Sequence, residues 1–209
     1  RVGATLCGWH PQAPQRPYLG VAPRVPYLPM RITDSVWINH AQRQLARTMR
    51  QAIDSGGAQI VNISLGVFAG QVLREMRSVL DHAYERGVIV VCAAGNIVAD
   101  VVAPARLRRS VAVAGVTIDE RPWSGSAFGP TVDFSAPAAD LRRADVNRKF
   151  QFGYKGGGDG TSYAAAITSG AAALWLTYRR AELAQRYPLP WCRVAAFVRL
   201  ARQTARVPT

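Results

Sequence analysis

Residues 88–96 read Val-Ile-Val-Val-Cys-Ala-Ala-Gly-Asn. The stretch from Val88 to Ala94 is strand-sized, led by β-branched residues and free of charge, as a strand buried on both faces must be. Upstream, Val72–Arg86 sets Leu73, Met76, Val79, Leu80 and Ala83 on one helical face, with Gly87 as the stop. Ahead of that helix, Ala58–Leu65 (Ala-Gln-Ile-Val-Asn-Ile-Ser-Leu) reads as another buried strand. Strand, helix and strand in that order form the repeating unit of a parallel sheet, so the fold class is α/β with a mostly parallel sheet.

Working outward, Val36–Ser55 is predicted as a helix with Ile38, Ala41, Leu45, Met49 and Ile53 at three-to-four spacing, stopped by Gly56-Gly57. Ser110–Val116 is predicted as a further strand, followed by a looser region around Trp123, Phe128 and Phe134. Gly153–Gly160 reads as a glycine-rich segment leading into a small-residue helix, Thr161–Tyr178, and Trp191–Ala205 as a final amphipathic helix. Residues 11–29 read as loop, carrying Pro11, Pro14, Pro17, Pro23, Pro26 and Pro29. Val25–Ile32 is expected as an edge or irregular strand, because Pro26 and Pro29 remove ladder donors. No repeat or low-complexity linker divides the chain, and one domain over residues 1–209 is expected.

Composition narrows the function classes. With 209 residues, 49% hydrophobic and 19% charged, the chain can bury a real core and is not a disordered polymer. No stretch reaches the ~18 uncharged apolar residues of a membrane span. The formal charge is +13, almost all of it arginine, since only Lys149 and Lys155 are lysines. The arginines come singly or in pairs such as Arg108-Arg109 and Arg142-Arg143, without zinc-finger spacing or an aromatic RNA-binding signature. A scattered, solvated basic surface is the expectation, with no nucleic-acid partner. Cys7, Cys92 and Cys192 form no CxxC, and Cys92 inside the apolar run is expected to pack as a small hydrophobe. Arg1-Val2-Gly3 opens with neither a methionine nor an apolar leader, and a segment of a longer chain is expected.

Three places carry chemistry. In Gly158-Asp159-Gly160-Thr161-Ser162-Tyr163-Ala164, glycines precede a serine on the first turn of a helix. That position suits a nucleophile or an anion site, and equally a capping serine. A phosphate-binding loop would need Lys at the position of Thr161. Ala93-Ala94-Gly95-Asn96 delivers one amide side chain to the carboxyl edge of the sheet, where α/β sites gather. Asn62-Ile63-Ser64-Leu65-Gly66 ends a strand in a glycine. Each alone is unspecific.

In this order and at intervals of 32 residues (Ser64 to Asn96) and 66 residues (Asn96 to Ser162), the chain resembles the subtilases, the subtilisin-like serine peptidases. Gly160-Thr161-Ser162-Tyr163-Ala164-Ala165-Ala166-Ile167-Thr168-Ser169-Gly170 is similar to the family's nucleophile motif GTSMAxPxVAG. Ala93–Asn96 matches its AAGN, Asn62–Gly66 its NxSLG, Gly20–Pro23 its GVAP, and Ser135-Ala136-Pro137 resembles its xAPG. The likeness covers roughly residues 1 to 178. It implies a three-layer αβα fold and a serine endopeptidase. Ser162 would be the nucleophile and Asn96 the oxyanion donor. Ser64, Leu65 and Gly66 would bind the substrate strand. Ala94 and Gly95 would wall the pocket for the side chain before the cleaved bond, and small walls suggest room for a large one. A polypeptide substrate is implied, with a pro-region or inhibitor as a further partner and a secreted or cell-envelope setting. No cofactor is implied. The family often binds calcium, yet no carboxylate cluster of calcium-ligand spacing stands out and no metal residue is assigned.

The motif also departs from the pattern at Tyr163, Ala166 and Ile167, which are helix-packing positions. More consequential is the base. The family's His lies in HGTxVAG ahead of GVAP, and its Asp earlier still. Arg1–Leu6 looks like the continuation of that motif, so both residues are expected upstream, together with amino-terminal strands. Their absence would leave a sheet edge unpaired and this stretch alone sticky or unstable. Asp34-Ser35 follows GVAP, and His10, His40 and His82 read as solvent or packing residues. The rival reading is a subtilase-like domain that has lost catalysis and keeps the groove to bind peptides. A basic nucleic-acid-binding α/β domain is the third.

Overall fold

The run at residues 88–94 becomes the second strand of a four-stranded, wholly parallel sheet in the computed structural model, which describes residues 1–9, 19–68, 70–146 and 151–207. The strands are β1 (Ile60–Ile63), β2 (Ile89–Ala93), β3 (Ser110–Val116) and β4 (Phe134–Pro137), in spatial order β1-β2-β3-β4. Register puts Ile63 beside Cys92 and Ala93 beside Val113, so β1 and β2 end together at one edge. Helices α1 (Val2–Cys7), α2 (Gln42–Asp54), α3 (Arg74–Glu85), α4 (Thr161–Tyr178), α5 (Arg180–Arg186) and α6 (Pro190–Thr204) surround the sheet. An antiparallel hairpin, β5 (Leu141–Val146) with β6 (Phe152–Gly158), stands apart from it.

Period-two alternation on β2 explains the layers. Val90 and Cys92 pack with Ile63, Ala112 and Ala114 beneath Leu45, Met49, Met76 and Leu80 of α2 and α3. Ile89, Val91 and Ala93 face the other way, onto Ala164, Ala165 and Ala172 of α4 and Val194 and Phe197 of α6. Every residue of β2 is buried, so a charge anywhere along it would have no solvated face. The sheet between two helical layers is the expected three-layer αβα arrangement. Cys92 is fully buried, and burial pushes its thiol far up, so it fills space as a small hydrophobe.

Three sequence expectations change. Val25–Ile32 is extended but joins no ladder, as its prolines forewarn, so it is not a strand. Beside it the outer edge of β1 is unpaired among the described residues, and a hollow of about 730 Å³, lined by Leu28, Ile32 and Ile60 among others, follows that edge. The glycine-rich segment 153–158 is strand, because pairing with β5 supplies its backbone partners. Helix α2 starts at Gln42, leaving Ile38 and Ala41 in the preceding turn, although Ile38 is still buried. The readings of His10, Pro11, Pro14 and Pro17 lie outside the described residues.

Close approach of α1 to α4 fixes the amino-terminal layer. A β-carbon on Gly170 would lie 2.7 Å from Val21 Cβ and 3.2 Å from the Leu6 carbonyl oxygen. Val21 and Ala22 are held there by N–H bonds to Thr5 O (3.0 Å) and Leu6 O (2.8 Å). Alanine for glycine inside a helix ordinarily gains about 0.5–1 kcal/mol. Overpacking against fixed backbone costs about 1–3 kcal/mol, and here it should win. Gly170→Ala should therefore lower the urea midpoint with an unchanged m-value; a raised midpoint would show that the crossing is not tight.

Candidate active site

The shared carboxyl edge of β1 and β2 gathers the three motif segments. β1 runs into Ser64–Gly66, β2 into Ala94–Asn96, and the start of α4 brings Thr161 and Ser162 alongside. Two glycines make the junction possible. Gly95 has φ +122 and Gly160 φ +143, backbone conformations that residues with a β-carbon rarely adopt. Gly160 N–H donates to Ala138 O at 2.8 Å, tying the loop before α4 to the end of β4.

Asn96 and Thr161 are locked together. Thr161 N–H (2.8 Å) and Thr161 Oγ1–H (2.7 Å) both donate to Asn96 Oδ1, and Gly95 N–H donates to Thr161 Oγ1 at 3.2 Å. Thr161 is fully buried, so these groups have no water to turn to. Two donors can meet only the carbonyl end of an amide, which settles which way Asn96 is turned. A β-carbon on Gly160 would sit 3.5 Å from its Nδ2 and 3.8 Å from its Oδ1, so the whole amide lies against that glycine. Asn96 also does for α4 what a capping side chain does, accepting an orphan N–H of the first turn from another loop.

Ser162 is half-buried in that first turn, at the positive end of an 18-residue helix. Among the described residues, the Ser162 N–H and Asn96 Nδ2 have no acceptor. Both lie by the start of α4, the Ser162 N–H on its first turn and Asn96 Nδ2 close to Gly160. Ser64 Oγ donates to Ser162 O (3.4 Å) and accepts from Asn62 Nδ2 (3.2 Å), while Ser169 Oγ donates to Asn62 Oδ1 (3.0 Å). This chain of side chains fixes the strand end relative to α4. Leu65 turns into the core, and Gly66 is buried with its N–H on Val36 O and its carbonyl taken by Ile38 N–H, both at 2.9 Å. Ala94 accepts the Val102 N–H at 2.9 Å.

No described histidine is hydrogen-bonded to Ser162. His82 pairs with Asp54 at 2.8 Å. That pair sits where α3 turns into β2, at the opposite end of strands that span ~16 Å at about 3.3 Å per residue. His40 is exposed in the turn ahead of α2. Among the described residues no three His, Cys, Asp or Glu side chains converge. Thr161 and Asn62 are the functional positions that residue-by-residue reading passed over. Their signal was present, since both sit inside the quoted motifs, but burial and partner geometry are what reveal their part.

Known proteins resemble this chain in sequence and in fold. The chain is 36% identical over 116 residues to a subtilisin-like protease of Coccidioides posadasii, covering 54% of this chain and 27% of that protein. It is 29% identical over 164 residues to subtilisin NAT of Bacillus subtilis subsp. natto, covering 76% of this chain and 41% of the relative. Among solved structures, the self-cleaved protease domain of PatA superposes with a TM-score of 0.78 at 26% identity, covering 98% of this chain and 74% of that one. The chain thus spans less than half the length of these two curated relatives. The profile of the subtilase family matches residues 2–194, and the chain belongs to that family.

Proposed function

We propose that this chain carries the nucleophile, oxyanion hole and substrate strand of a serine endopeptidase. The observation that carries the reading is the orientation of Asn96: Thr161 gives its oxygen two hydrogen bonds, so the amide N–H groups and the Ser162 N–H are left without acceptors among the described residues. A protein that only bound peptides would have no need of an oxyanion donor.

In this reading an extended substrate adds to Ser64–Gly66, taking the place of the Val36–Ile38 segment that bonds the Gly66 N–H and carbonyl in this structure, and sets its carbonyl beside Ser162. Ser162 Oγ attacks the carbonyl carbon while the general base takes its proton. The carbonyl oxygen becomes negative and receives hydrogen bonds from Asn96 Nδ2 and the Ser162 N–H. Collapse expels the amine, protonated by the same base, and water later releases the acyl group from Ser162. In this reading the base lies ahead of Arg1, as the motif order of the family implies. Two contacts support that position. Arg1, capping α1, is bonded to Asp145 of β5 at 2.6 Å, and Arg143 of the same strand reaches Tyr163 on the first turn of α4 at 3.4 Å. The amino ends of α1 and α4 therefore meet on one strand.

Two experiments on the full-length protein test the proposal. A fluorophosphonate should label the protein at Ser162 and fail to label Ser162→Ala; persistent labelling of that variant would reject Ser162. Asn96→Ala should lower kcat with little change in KM, because its hydrogen bond strengthens as charge develops. The loss known for subtilisin's own oxyanion asparagine, ~10²–10³ in kcat, sets the scale. Thr161→Val should lower kcat in the same way, Thr161→Ser should restore it, and combining Thr161→Val with Asn96→Ala should cost little more than Asn96→Ala alone. A fall in peptide affinity with unchanged kcat would leave the groove as a recognition surface.

A further inference from the structure

We infer that Val102 closes the floor of the pocket for the side chain before the cleaved bond, restricting substrates to a small residue there. The inference rests on the peptidase reading above, with Gly95 as one wall of that pocket, and takes Gly66 of the substrate strand as the facing wall. The loop carrying Val102 is stretched across the gap between these walls. At one end Val102 N–H donates to Ala94 O (2.9 Å), and at the other Val67 N–H donates to Ala103 O (2.8 Å). The side chain between the two anchors reaches both walls. A β-carbon on Gly66 would lie 2.7 Å from Val102 Cγ2, and one on Gly95 would lie 3.3 Å from Val102 Cγ1. The two methyls of one residue thus touch both glycines, with Ala127 Cβ behind at 3.4 Å from the same Gly95 position.

Val102 is 5% exposed and β-branched, so it has few rotamers with which to step aside. Small walls suggest a roomy pocket, but the room is already filled. A methyl-sized side chain fits over the valine; an aromatic ring would need it to move into packed core.

The test uses the full-length protein and peptide p-nitroanilides that differ only in the residue before the scissile bond: Ala, Leu or Phe. Wild type should favour Ala over Phe by about tenfold or more in kcat/KM, since even one methylene in a fitted pocket discriminates by ~10–200-fold. Val102→Gly should raise the Phe-to-Ala ratio by a similar factor. Should that variant fail to fold, Val102→Ala, which also removes both methyls, carries the same ratio test. Equal or better cleavage of the Phe substrate by wild type would overturn the inference and leave the peptidase reading standing. So would an unchanged ratio in both folded variants. Absence of hydrolysis of every substrate, together with no fluorophosphonate labelling, would reject the peptidase reading and this inference with it.

Discussion

The oxygen of a single amide, Asn96 Oδ1, accepts both polar hydrogens that Thr161 offers, and the site is built around that bond pair. It joins the end of β2 to the start of α4, two elements 65 residues apart in sequence. It caps the helix, and it leaves the amide nitrogen without an acceptor among the described residues. Because Thr161 is wholly buried, breaking the pair would strand polar groups without water. Donors fixed in this way need no reorganisation when a negative oxygen forms, which is where their effect on a reaction comes from. The second tie, from Ser169 through Asn62 and Ser64 to the Ser162 carbonyl, sets the end of β1 against the same helix.

The rest of the fold serves that junction. A parallel sheet ends its strands at one edge, so β1 and β2 deliver Ser64–Gly66 and Ala94–Asn96 to the same edge. The small residues of α4 let it lie close on the sheet: Ala164 and Ala165 are fully buried. Gly170 lets α1 and Val21 cross the same helix at contact distance. The same close packing that positions the amide also limits what can enter beside it, through Val102.

Buried segments were the most legible in the sequence. Strand Ser110–Val116 and helix Thr161–Tyr178 lie where they were expected, because their residues face packed layers and admit little else. Elements whose backbone is satisfied by distant partners were not legible. The hairpin strand Phe152–Gly158 has mostly exposed residues and four glycines, so neither periodicity nor propensity marks it. Helix α1 has six residues and no side-chain cap, and it exists through packing on α4. The motif residues Ser162, Asn96, Ser64, Leu65 and Gly66 were legible through their resemblance to the family's motifs, and their segments meet at one edge. The floor of the pocket was not. Val102 lies in a loop among apolar residues, and only the distances to Gly66 and Gly95 give it a part.

The most direct test of the account is a crystal structure of the full-length protein with a peptide phosphonate joined to Ser162 Oγ. The account predicts the phosphonyl oxygen within ~3 Å of both Asn96 Nδ2 and the Ser162 N–H, with Asn96 Oδ1 still on Thr161 and the peptide paired along Ser64–Gly66. An adduct whose oxygen points into solvent, with Asn96 turned away from it, would contradict the account.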